Sequence, residues 1–373
     1  MVAVSLKKKT ADRSFDTWYV FFFYCLTTLG TEVLSLVSDR AKALIKLAHT
    51  GLGCLSIPDL FHLSHDLAKG YSLAIFGRLR QAKRDLEHAK QRLETVQKHA
   101  QADCAQVTQA QARIAACAIS VNHWQGVGRA WRQRLSNLSR ILHPWPLADS
   151  TPQTSKEVEE QLRAEIKALE TLLATHGLPM KKDILDKVRK QLAGISTLVD
   201  LWWQTVRQDL TQLAMTPRWT QWAEDVLLPL MYWQEQLRRT RHPVQKAQIA
   251  LVLQAVEEVF ERHPCTRQLK PELLVGWKAW AAEHAKAFQR ASSAVEGRNG
   301  YLSQMQHNHR GLPTRRYQVW TVLHNFDCRA ADGTTPASRF FRRSFPDLFE
   351  SVLSQIDELP MPRQRRQALA ASN

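Results

Sequence analysis

The chain has 373 residues, enough for two or three domains, and 44% of them are apolar, enough for a sizeable core. A formal charge of +16 and a pI near 9.8 suit a polyanionic partner, nucleic acid or an anionic membrane face. Six cysteines without a CxxC pair argue against a zinc ribbon and a disulfide scaffold, and fit a reducing, cytoplasmic setting.

Lys7-Lys8-Lys9 followed by the apolar stretch from Trp18 to Leu29 has the look of a leader or anchor. The apolar run is short of the ~20 residues that a spanning helix needs, and Glu32 interrupts any extension. The stretch 12–29 therefore predicts a helix and no membrane partner. Residues 32–38 are β-branched and apolar and end at Asp39, which predicts a short buried strand with an acid at its carboxyl end. Residues 40–50 carry helical periodicity up to Gly51, and 53–57 predict a second strand closed by Pro58. This alternation of helix and strand predicts a parallel pair.

Beyond His62 the pattern turns almost wholly helical. A heptad series runs through Leu79, Leu86, Leu93, Ala100, Val107, Ile114 and Val121, with Ala82, Ala89, Val96, Ala110 and Cys117 as companions and Asp103 as a break. Residues 78–121 thus predict a long coiled-coil-like helix or a helical hairpin. His143-Pro-Trp-Pro146 and the polar residues to Ser155 read as a linker. Helices are expected at about 156–176, 182–214, 218–240, 243–262 and 270–290, punctuated by Gly177-Leu-Pro179, Pro217 and Pro243. A further helix from Ser292 to about His307 carries Glu296, Gly311-Leu-Pro313 ends it, and a last one is expected near 346–357.

Three places draw attention as chemistry. Asp39 stands where a strand meets a loop, a common functional position in α/β sheets, although a helix N-cap uses Asp there equally well. Asp59 and His62 lie three apart on one helical face, suited to a metal or phosphate and equally to a capped helix with a packed histidine. Glu296 sits in Ser292-Ser-Ala-Val-Glu-Gly-Arg-Asn-Gly300, where Gly297 and Gly300 weaken the helix and suggest close approach of another backbone or of DNA.

In order along the chain, Val37-Ser-Asp-Arg-Ala-Lys-Ala-Leu44, Ile57-Pro-Asp-Leu-Phe-His62, a long helical stretch and Ser293-Ala-Val-Glu-Gly-Arg-Asn299 resemble the RNase H-like DDE transposases. Asn308-His-Arg-Gly-Leu-Pro313 through Asn325-Phe326 resembles the C-terminal end of a bacterial insertion-sequence group. The resemblance implies a fold class: an α/β RNase H-like fragment interrupted by a large all-α insertion, predominantly helical overall. It divides the chain into a partial RNase H-like segment at 1–62, a helical insertion at 63–290 and a return helix with a basic tail at 291–373. It makes Asp39 and Glu296 the second and third catalytic, metal-binding acids and Asp59 with His62 an auxiliary motif. It further implies Mg²⁺ or Mn²⁺ as cofactor, double-stranded DNA ends as partner, and a homo-oligomer, with no small-molecule substrate. The family's first three strands, with the first aspartate, are expected to be missing here, so the chain alone is expected not to cut or join DNA. A non-catalytic DNA-binding remnant and a coiled-coil interaction protein are the alternatives.

DNA contact is expected from Arg129, Arg132, Arg134, Arg298, Asn299, Arg310, Arg315 and Arg316, with further basic clusters at Arg78/Arg80/Lys83/Arg84 and Arg238/Arg239/Arg241. The dense tryptophans Trp202, Trp203, Trp219, Trp222 and Trp233 are expected to be mostly core. His307, His309 and His324 lack an acid or Cys to complete a metal site, and read as DNA-facing polar residues.

Overall fold

A computed structural model describes residues 14–30, 33–98, 104–147, 151–288, 314–330, 333–341 and 343–356. The chain divides into two compact units, residues 12–292 and residues 1–11 with 293–373. Helix dominates, and no helix among the described residues is long and apolar enough to cross a membrane.

The larger unit opens as its sequence pattern predicts. Helix α1 (Phe15–Leu29) begins at Ser14, whose Oγ accepts the Thr17 N–H, and ends at Gly30, left-handed at φ 61°. Strands β1 (Ser35–Ser38) and β2 (Leu55–Pro58) pair in parallel, Ser35 beside Leu55 and Ser38 beside Pro58. Between them α2 (Lys42–Lys46) runs into a π-helical turn, Leu47–Gly51, where Leu47 and Ala48 are wholly buried. The expected helix start at residue 40 moves to 42, because Arg40 is left-handed at φ 61° and Ala41 is extended.

Helices α3 (Leu60–Lys98) and α4 (Cys104–Ile141) form a helical hairpin, the second of the two forms that the heptads allow. Its far half is only two helices thick. There the small residues Ala82, Ala89, Ala110 and Cys117 are buried on the seam, with Val121, while Leu79, Leu86, Leu93, Val107 and Ile114 are half-covered. A two-helix layer can shield a small side chain on its axis but has nothing to lay over the outer half of a leucine. The boundary expected after residue 62 falls inside α3, which runs through it unbroken. Ile57, Leu60 and Leu63 share one core with the helices that follow, so the α/β segment and the helical block are one body.

Residues 142–147, expected as a linker, form a packed corner: Leu142, His143 and Trp145 are buried. Helix α5 (Ser155–Thr175) starts with a capping box between Thr154 and Glu157. Helix α6 (Lys182–Gln212) is the central element, with eleven buried side chains, among them Trp202 and Trp203. The single helix expected at 218–240 is three pieces: α7 (Pro217–Trp222), a π-helical turn (Ala223–Leu227) and α8 (Leu228–Arg239), with Pro229 in its first turn. Helices α9 (Pro243–Arg262), α10 (Pro264–Gln268) and α11 (Pro271–Ala287) each begin on a proline, whose missing N–H costs nothing there.

The tryptophans are core, as expected. Rings of Trp145, Trp202 and Trp203 meet edge-on at centroid distances of 4.9–5.4 Å, and Tyr232 lies 5.2 Å from Trp145. The Trp202 indole N–H donates to the His284 carbonyl at 2.9 Å and that of Trp222 to Thr266 Oγ1 at 2.9 Å. Trp219 is only partly buried, against Trp222.

In the second unit, α12 (Thr314–Phe326), α13 (Pro336–Phe341) and α14 (Leu348–Leu353) are described. The last is shorter than the helix expected at 346–357. Asp347 caps it, accepting from the N–H groups of Phe349 and Glu350.

Candidate functional site at the carboxyl ends of the paired strands

The parallel register decides where the acids stand. Ser38 pairs with Pro58, so Asp39 and Asp59 are the next residues on the two strands, side by side at the carboxyl edge of the sheet. The Asp59 N–H donates to the Ser38 carbonyl at 3.1 Å, extending the ladder by one step. In open parallel sheets this edge is where ligands are taken.

The two acids differ in freedom. Asp59 is 1% exposed and caps α3: its Oδ1 accepts the Phe61 N–H at 2.8 Å. Asp39 is exposed, and its Oδ1 accepts the Ala41 N–H at 3.0 Å. Arg40, beside it, holds the turn. Its N–H donates to Ser38 Oγ at 3.2 Å and its guanidinium Nη1 to the Ser56 carbonyl at 3.3 Å. A non-glycine residue in the left-handed region costs about 1 kcal/mol or more, and such strain clusters at functional turns. His62 is half-buried one turn into α3, its ring 5.4 Å from that of Phe61.

The cap role of Asp59 makes a clear forecast. Asp59→Ala is expected to cost about 0.5–2 kcal/mol, read as a lower urea midpoint, whereas Asp59→Asn keeps the acceptor and most of the stability. Equal losses in the two variants would show that the charge, and not the cap, is what matters.

Among the described residues no three His, Cys, Asp or Glu side chains gather to hold a metal ion. The exposed oxygens of Asp39 suit a hard divalent cation in donor chemistry, but one carboxylate is too few, so the described residues fit an Mg²⁺ site only in part. Glu296, Arg298, Asn299 and Arg310, together with His307 and His309, lie outside the described residues. The structure therefore brings Asp39 beside Asp59.

The basic residues divide by their partners. Arg134 faces the buried carboxylate of Glu165 at 3.2 Å, reinforced by Asn137, so it serves the fold. Arg132 is exposed and lies 4.7 Å over the Phe76 ring, and Arg129 is exposed. Arg315 and Arg316 are exposed on the first turn of α12. In the cluster at 238–241, Arg238 and Arg239 are both bound to the buried Glu235, at 2.7 and 2.5 Å. Burial pushes the Glu235 carboxyl up, but the two guanidinia outweigh it and hold it below the ordinary value. His284 shows the opposite balance: burial lowers its pKa in spite of Asp209, 3.0 Å away. Neither Glu165 nor Glu235 was legible as a counter-charge in the sequence; each lies on the buried stripe of its helix, the one signal available.

Residues 223–368 match the model of a family described as a family of unknown function (DUF6399). The match begins at the second π-helical turn, covers less than half of the chain, includes Glu296 and excludes Asp39 and Asp59. No curated protein and no solved structure matches the chain.

Proposed function

We propose that this is a DDE-type DNA transposase, with Asp39, at the carboxyl edge of the β1–β2 sheet, and Glu296 as metal-binding acids. The observation that carries the reading is the placing of Asp39. It is an exposed carboxylate at the end of a parallel strand, on a turn held by a left-handed arginine, one register step from a second aspartate. The order of elements supports it too: a helix, two parallel strands around a short helix, then a long helical stretch before the segment that carries the glutamate. The net charge of +16 suits DNA. Duplex ends are the substrate in this reading, and Mg²⁺ or Mn²⁺ supplies the charge that carboxylates alone cannot. The helical block carries DNA contacts rather than reacting groups.

Iron(II) substituted for magnesium tests this without requiring turnover, because peroxide then cleaves the polypeptide next to the bound ion. A fragment is expected to end near residue 39, and the cut vanishes in Asp39→Asn. No cut near residue 39, or a pattern indifferent to Asp39→Asn, overturns the proposal.

A further inference from the structure

The far half of the α3–α4 hairpin is a two-helix arm. Beyond Ile75 on α3 and before Trp124 on α4, the buried side chains lie on the seam between the two helices, and the outer faces are open. About 22 residues of each helix extend there, roughly 33 Å at 1.5 Å per residue, close to one turn of a DNA duplex.

Charge is concentrated on this hairpin. Helix α3 carries eight Lys and Arg and α4 five, against four Asp and Glu, all on α3. The difference, nine, is more than half of the chain's net sixteen. Helix α4 has no acid in 38 residues. At the hairpin's base, charges are matched: Arg134 meets Glu165 and Asp66 meets Lys187. Farther out they are not. Among the described residues Arg80, Lys83, Lys90, Arg92 and Arg113 are exposed and form no ion pair. Like charges left unmatched along a thin arm repel one another, a cost that a polyanion removes.

The choice among polyanions follows from what the arm lacks. Residues 77–98 and 104–123 contain no Trp, Tyr or Phe. Single-stranded nucleic acid is held by bases stacking on aromatic rings, and the arm offers none. A membrane-surface helix sinks Trp, Phe or Leu into the headgroups, and the one large apolar side chain exposed over these residues is Ile119. Phosphates on the outside of a duplex ask only for cations on long stems, which the arm supplies.

We propose that this arm is a contact surface for duplex nucleic acid, gripping the phosphate backbone independently of base sequence. The inference rests on charge and shape and needs neither Asp39 nor a metal ion, so it stands or falls apart from the nuclease reading.

Fluorescence anisotropy of a 30-base-pair duplex, titrated with the full chain in EDTA at several salt concentrations, provides the test. The variant carries Lys83→Gln, Lys90→Gln, Arg92→Gln and Arg113→Gln, all exposed positions. Each lost phosphate contact removes about 0.9 from the slope of log affinity against log salt. The variant is expected to lose about 3–4 in slope and bind at least about 100-fold more weakly at 0.1 M salt. A parallel measurement needs no variant: duplex should protect Lys83 and Lys90 from an acetylating reagent and leave Lys156, exposed on α5, reactive. An unchanged slope in the variant, unprotected Lys83 and Lys90, or anionic vesicles and single strands binding better than duplex would overturn the proposal.

Discussion

Trp145→Ala is expected to lower the stability of the larger unit by about 3–5 kcal/mol, the usual cost of deleting a buried indole. Trp145 is wholly buried, and its ring meets Trp202, Trp203 and Tyr232. It is the pin that fixes the corner after α4 to both α6 and α8. Removing it opens a void between three elements that cannot close together, since each is held elsewhere by its own helix contacts. A shift of several degrees in melting temperature, with the circular dichroism of the native state preserved, is the expected readout. Trp145→Phe should recover much of the loss, because no hydrogen bond of the indole N–H is at stake among the described residues. A loss below about 1 kcal/mol in Trp145→Ala would mean that the corner is not packed as described.

Gly194→Val is expected to cost about 1–3 kcal/mol by overpacking. Gly194 lies in the middle of α6, where glycine is normally a weakness, and the reason for it is Pro58. A Cβ at residue 194 would stand 3.0 Å from Pro58 Cδ and 3.3 Å from Cγ. The proline ring is rigid and β2 is paired to β1, so neither can yield freely. Valine therefore pushes the small sheet off α6, and with it the turn that holds Asp39. Amide exchange at Val37 and Ile57 should quicken more than exchange within α5. If exchange in the sheet is unaffected while global stability falls, α6 rather than the sheet absorbs the strain.

The first sixty residues were legible because their signals are local. The apolar run ending at Leu29, the β-branched run before Asp39, Gly51 and Pro58 each act within one turn or one strand. The hairpin was legible as one of two forms, since heptads specify a seam without saying which helix faces which. The packed corner at 142–147 was misread as a linker because Pro144 and Pro146 speak for a turn, while the burial of Trp145 depends on Trp202 and Tyr232, 57 and 87 positions away. The break of the 218–240 helix at a π-helical turn was missed although Pro229, which cannot donate to the carbonyl of residue 225, stands just beyond it. At the site, the strand-end position of Asp39 could be read directly. That Asp59 stands beside it required the register, which a pattern of short apolar runs does not fix.

Asp59 is both the last step of the strand ladder and the first cap of α3, and α3 then runs 39 residues to the tip of the arm. The helix is thus a rod about 58 Å long, clamped in the core from Leu60 to Ile75 and free beyond. A tilt of about 5° where the helix leaves the core at Ile75 swings Lys98, about 34 Å farther on, by about 3 Å.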